Sequence, residues 1–172
     1  GAVISNNSGP NTGGGVSVAG SGSTFTVDNA TVSGNSAEFS GGISAFSGGS
    51  VILQNGAVIS GNTATLGTGG GVAITPGAGG LTVSDTRFES NTAAGDGDAI
   101  QYSITADATI TRSCFTNNGD IAISNVNTGL IDASGGGNVA NSNWWGSSWG
   151  PNIANVTGSR LSAGDSISGN GT

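Results

Sequence analysis

An apolar residue followed three positions later by Asn recurs along this chain. The pairs are Ile4–Asn7, Val32–Asn35, Ile59–Asn62, Phe88–Asn91, Phe115–Asn118 and Ile167–Asn170. Successive Asn residues among the first five are 28, 27, 29 and 27 positions apart, and the gap of 52 from Asn118 to Asn170 is close to two periods, with Asn143 as a degenerate hit between them. Residues 1–7 (GAVISNN) and 56–62 (GAVISGN) match at six of seven places. A fixed period of about 27 residues marks a repeat architecture.

Two further short segments recur in each period. After the Asn and a Gly-rich turn comes an alternating stretch with one apolar column at Val16, Ile43, Val72, Ile100 and Ile121, and a second at Val18, Ala45, Ile74, Tyr102 and Ile123. Ser17, Ser44, Ala73, Gln101 and Ala122 lie between them, so the alternation has the period of a strand with both apolar columns inward. A third segment carries Val27, Leu53, Val83 and Ile110 among Thr, Ser and Asp. Three short strands per coil, β-branched residues facing in and no helical periodicity predict an all-β fold: a right-handed parallel β-helix of about six coils, forming one domain over 1–172. Six rungs at strand spacing give a rod on the order of 30 Å long.

Composition agrees with this reading. Gly contributes 34 of 172 residues, and with a period that share suits tight corners rather than disorder. There is no His and no Lys, and only 3 Arg stand against 10 acidic residues. The net charge of −7 argues against a nucleic-acid groove. No apolar run approaches the length of a membrane span. Cys114 is alone, so an intrachain disulfide is excluded, and it reads as a small buried apolar residue. The chain opens on Gly1 with no visible signal peptide, which points to processing or to a fragment.

The motifs GGV (14–16), GGI (41–43), GGV (70–72), FESN (88–91) and FTNN (115–118) together resemble the GG-φ and F-x-x-N repeats of polymorphic outer-membrane proteins and related β-helix surface proteins. GDAI at 97–100 and the Val or Ile heads of the other φ-x-x-N phrases depart from that pattern. The resemblance implies a right-handed β-helix that is extracellular or on the cell surface, with an adhesive or structural role. The segment NWWGSSWGP (143–151) also resembles one found near the end of many bacterial and archaeal β-helix proteins.

The candidate sites follow from the columns. Asn7, Asn35, Asn62, Asn91, Asn118 and Asn170 form a structural ladder, because a carboxamide donates and accepts from rung to rung. Asp85 and Arg112 fall in one column on adjacent rungs and predict a surface ion pair rather than an active site. Gly95-Asp96-Gly97-Asp98 has too few carboxylates for a calcium cage and reads as a solvated turn. Trp144, Trp145 and Trp149 form a local clamp or a platform for glycans or another subunit. The column Thr26, Ile52, Thr82 and Thr109 is interrupted by Ile52, which argues against an ordered-water face. No cofactor or catalytic residue is expected.

Neither end reads as a capping repeat. The chain opens on GAVISNN and closes on DSISGNGT, the same phrase at nearly the same phase. Val3, Ile4 and Asn7 are therefore expected to meet Ile167 and Asn170 of a second copy, a head-to-tail contact that yields an open filament. The expected function is a non-enzymatic structural subunit of an extracellular fibre. The alternative is an adhesin or passenger module that binds glycans or other surface proteins.

Overall fold

The computed structural model describes residues 1–103, 108–119, 123–125 and 131–132. Among them there is no helix, and every strand pairing is parallel. The chain is a parallel β-solenoid built from four sheets. The first stacks β1 (Val3–Ser5), β5 (Thr31–Ser33), β9 (Val58–Ser60), β13 (Arg87–Glu89) and β17 (Cys114–Thr116). The second stacks the two-residue strands β2 (Ser8–Gly9), β6 (Ser36–Ala37), β10 (Thr63–Ala64) and β14 (Thr92–Ala93). The third holds β3 (Val16–Ala19), β7 (Ile43–Phe46), β11 (Val72–Ile74), β15 (Ile100–Tyr102) and β18 (Ile123–Asn125). The fourth holds β4 (Thr24–Asp28), β8 (Ser50–Gln54), β12 (Gly80–Ser84), β16 (Ala108–Thr111) and β19 (Ile131–Asp132).

The described residues thus complete four coils and begin a fifth, against the six expected over the full chain. The part of the chain that would carry a sixth, with Asn143 and Asn170, lies outside the described residues. A coil also has four strands rather than three. The additional one is the two-residue strand directly after the ladder Asn, which is too short to show alternation.

Inside the coil, columns of like residues lie over one another. Val27, Leu53, Val83 and Ile110 are buried in the fourth sheet, and Val32, Ile59, Phe88 and Phe115 in the first. Ile43, Val72 and Ile100 continue into Ile123, which lies over Ile100. This corrects the expected frame of the fifth coil, where Ile123 was aligned with Tyr102. A backbone shift of two residues preserves which face is inward, so the alternation fits either frame and only the pairing decides.

Rung-on-rung contact is what excludes water from these columns. Ile4, Val16 and Phe25 in the first rung have a neighbour on one side only and are partly buried, whereas Ile43, Leu53 and Ile59 one or two rungs on are fully buried. Burying an Ile or Leu side chain stabilises by roughly 1.5–3 kcal/mol. A lone coil lacks most of that, so stability resides in the stack.

On the third sheet even the outward column is covered: Ser44, Ala73 and Gln101 are buried. The corner before each strand folds back over it. A Cβ on Gly69, whose φ is +73°, would fall 2.6 Å from the Ala73 Cβ. Only a residue without a side chain fits that approach.

Candidate functional site

Each φ-x-x-N phrase places its apolar residue inward and then bends the chain through the left-handed region. The residue before the ladder Asn has positive φ at every level, in Asn6 (57°), Gly34 (63°), Gly61 (61°), Ser90 (55°) and Asn117 (51°). Gly and Asn tolerate this conformation, which is why they dominate the position. The bend turns the next side chain, the Asn, into the corner between the first and second sheets.

There the carboxamides form a continuous ladder. Backbone N–H and Nδ2 of Asn7 both donate to Oδ1 of Asn35, at 3.0 and 2.9 Å. Asn35 repeats this to Asn62, Asn62 to Asn91, and Asn91 to Asn118. The second Nδ2 hydrogen points back to the preceding rung, onto the carbonyl of the residue that heads its phrase. Asn35 donates to Ile4 O, Asn62 to Val32 O, Asn91 to Ile59 O and Asn118 to Phe88 O. A central Asn therefore uses both donors and both lone pairs of its amide. Asn35, Asn62 and Asn91 are fully buried, and such complete pairing offsets the cost of burying them. The expected ladder is present from Asn7 to Asn118, and Asn170 lies outside the described residues.

The second glycine of each GG-φ motif packs against this ladder. A Cβ on Gly42 would lie 3.0 Å from the Asn62 amide carbon and 2.4 Å from Gly71 O. One on Gly71 would lie 2.5 Å from Ala99 O. The two sequence motifs are thus halves of one device, since the missing side chain makes room for the carboxamide stack.

Val3, Ile4 and Asn7 come together on the first rung. Val3 is 63% exposed, Ile4 is half-buried and Asn7 is exposed. Their pairing to Thr31, Val32 and Asn35 uses only the side facing the second rung. Ile167, Trp144, Trp145 and Trp149 lie outside the described residues.

Asp28, Asp85 and Asp98 are engaged by neighbouring groups. Asp85 takes a bidentate contact from Arg112, with Nε at 2.8 Å and Nη2 at 2.6 Å, as the shared column predicts. Both side chains are exposed, so solvent screens the pair and its contribution to stability is small. Asp28 accepts from Gln54 Nε2 at 2.8 Å and from Asn55 Nδ2 at 3.1 Å. These two amides hold its carboxyl below the ordinary value, and hydrogen bonding to Arg112 does the same for Asp85.

Asp98 departs from the expected solvated turn. It is buried, and its Oδ1 accepts the Ala93 N–H at 2.7 Å, standing where a further strand of the second sheet would place a carbonyl. Among the described residues no three His, Cys, Asp or Glu side chains converge as a metal site would require. Cys114 is half-buried rather than buried, and desolvation pushes its thiol upward, which keeps it protonated and weakly nucleophilic.

A shorter ladder at the corner between the fourth and first sheets has no counterpart in the sequence reading. Buried Ser113 accepts the Thr86 N–H through its hydroxyl at 3.2 Å and donates to Thr111 O at 2.8 Å. Its only sequence signal is a hydroxyl at the same phase in two successive coils, Thr86 and Ser113, above Ala57 in the third. What the geometry provides overall is a stacking surface of repeating hydrogen-bond chemistry. Comparison with protein-family models, curated proteins and solved structures finds no match for this chain.

Proposed function

We propose that this chain is a non-enzymatic structural subunit whose β-solenoid stacks head-to-tail on further copies, building an extracellular or cell-surface fibre. One observation carries the reading. Every rung junction from Asn7 to Asn118 uses the same bonds in the same direction, so one face of a rung complements the opposite face of any other. The β1–β4 edge offers that chemistry with Val3 exposed and Ile4 half-covered. The phrase Ile167-Ser-Gly-Asn170 repeats the spacing a matching rung needs. The extracellular setting is supported by the motif resemblance to outer-membrane repeats. The pairing of Asp28, Asp85 and Asp98 with neighbouring groups and the rung-to-rung engagement of the Asn side chains favour a scaffold over a catalyst.

Electron microscopy of the purified chain across a concentration series tests this. Filaments that lengthen with concentration are the expected result. Dispersed short rods at every concentration would remove the stacking role. Glycan binding by such rods, lost on Trp144→Ala and Trp149→Ala, would replace it with the adhesin reading.

A further inference from the structure

Large apolar side chains are rarely left in solvent among the described residues, and two that are share one corner of the coil. Phe39 is 50% exposed and Leu66 67% exposed. They lie on successive rungs between the second and third sheets, where the Leu66 N–H donates to Glu38 O at 2.8 Å. Phe39 is seated against the next rung, since a Cβ on Gly67 would fall 2.8 Å from its Cα and 2.9 Å from its ring. A fixed, exposed apolar ridge marks a contact with another surface. The corner between the fourth and first sheets carries a shallow groove of about 380 Å³, lined by Ala57, Val58 and Cys114 together with Arg87 and Arg112. We propose that the Phe39–Leu66 ridge of one copy seats in this groove of a second copy lying alongside, so that rods join side by side in the same orientation.

Charge and topology both point to a second copy as the occupant. Glu38 flanks the ridge, whereas the cationic side chains of the described residues, Arg87 and Arg112, both line the groove. Asp85 takes Nε and Nη2 of Arg112, and Glu89 lies 3.4 Å from Nε of Arg87. A guanidinium carries five N–H donors, so each Arg keeps donors for an incoming carboxylate. The apolar floor then receives the aromatic and aliphatic side chains, and the Arg–Glu38 contact at the rim sets which surface is chosen. Along the coil the ridge follows the second sheet and the groove follows the fourth, so they face opposite sides of the rod. A contact between unlike patches on opposite sides repeats by translation and builds an open ribbon instead of a closed pair. The ridge occupies the second and third rungs and the groove the third to fifth. Neighbouring rods are therefore staggered by one to two rungs, on the order of 5–10 Å. This contact does not need the end-to-end stacking proposed above and stands separately from it.

Half-buried Cys114 is the one cysteine of the chain, so disulfide trapping tests the contact directly. With a mild thiol oxidant, Leu66→Cys and Phe39→Cys should give ladders of trimers and longer chains, with bridges from the substituted position to Cys114 found by peptide mass mapping. The same bridging in Ser21→Cys, exposed at the corner between the third and fourth sheets, should be slower by about tenfold or more. Without oxidant, Leu66→Asp should raise the concentration for side-by-side association in sedimentation about tenfold or more, at unchanged circular dichroism. Glu38→Arg should weaken it as well, and adding Arg87→Glu should restore it. Bridges between like positions only, equal trapping of Ser21→Cys, or association of Leu66→Asp at the wild-type concentration overturns the contact. Wild-type filaments seen only as single rods by electron microscopy overturn it too and leave the stacking standing. Ribbons of short rods without end-to-end growth support the contact and remove the stacking. Co-sedimentation of single rods with phosphatidylcholine vesicles, lost in Leu66→Asp, would assign the ridge to a lipid surface and overturn the copy-to-copy contact.

Discussion

Asn62 makes five hydrogen bonds through its carboxamide and backbone N–H while fully excluded from water. Its Oδ1 accepts from Asn35 N and Nδ2, its Nδ2 donates to Asn91 Oδ1 and Val32 O, and its N–H donates to Asn91 Oδ1. Asn62→Ala strands the backbone N–H and one Nδ2 hydrogen of buried Asn35, two donors that each cost about 1–3 kcal/mol without a partner. The expected loss in urea denaturation is roughly 3 kcal/mol or more, against under about 1 kcal/mol for Asn7→Ala at the exposed edge. An equal loss at both positions would mean that the ladder adds nothing beyond ordinary packing. The charged corner behaves differently. Gln54 and Asn55 lower the folded-state pKa of Asp28, and Arg112 lowers that of Asp85, each below the ordinary 3.8. The unfolded chain therefore takes up protons first as pH falls. Stability from these groups is full above the ordinary value and declines as pH drops from about 4 through the folded values. Because both acids are exposed, the decline is small. Replacing Asp28 and Asp85 together by Asn should flatten part of the fall in denaturation midpoint between about pH 6 and pH 2.

Between strands, identical spacing brings like onto like. Phe88 in β13 and Phe115 in β17 stack with centroids 4.8 Å apart and planes within 2° of parallel. That distance is the spacing of hydrogen-bonded strands, so the sheet itself sets the ring geometry. Phe88→Ala should cost about 3–5 kcal/mol through the cavity it leaves between Ile59 and Phe115. A double-mutant cycle with Leu at both positions should return a coupling of about 0.5–1.5 kcal/mol, and a coupling near zero would reduce the stack to ordinary apolar burial. These columns are legible in the sequence because an apolar residue returns at each period and alternates within its segment. The second sheet was not readable, since Ser36–Ala37 or Thr63–Ala64 offers two residues and no alternation. The fifth coil misled because Ile121 and Ile123 both satisfy the inward pattern, and only the pairing of Ile123 with Ile100 selects the frame. At the site, the Asn column stood out through its spacing. Its partners Ile4 O, Val32 O, Ile59 O and Phe88 O did not, because a backbone carbonyl leaves no mark on residue identity.

At the scale of the molecule, a solenoid is a one-dimensional array in which each coil is stabilised by its two neighbours. The described contacts obey this, since strands of one sheet touch the levels directly above and below. Interior rungs therefore open only when a neighbour has opened, whereas the β1–β4 rung opens against a single interface. Amide hydrogen exchange should show that gradient, with Val58–Ser60 of β9 protected far longer than Val3–Ser5 of β1 in dispersed chains. If copies stack as proposed, a second copy supplies the missing neighbour, and assembly should bring Val3–Ser5 up toward the protection of β9 and leave β9 nearly unchanged. Net charge sets the conditions. Copies carrying −7 repel one another, and the repulsion is screened by salt, so assembly and edge protection should rise together as ionic strength increases. Lateral bundling of rods would protect outward positions such as Thr26 and Thr82 while leaving the β1 amides open. The pattern along the chain, more than the presence of large particles, thus decides whether the rungs themselves are the joint.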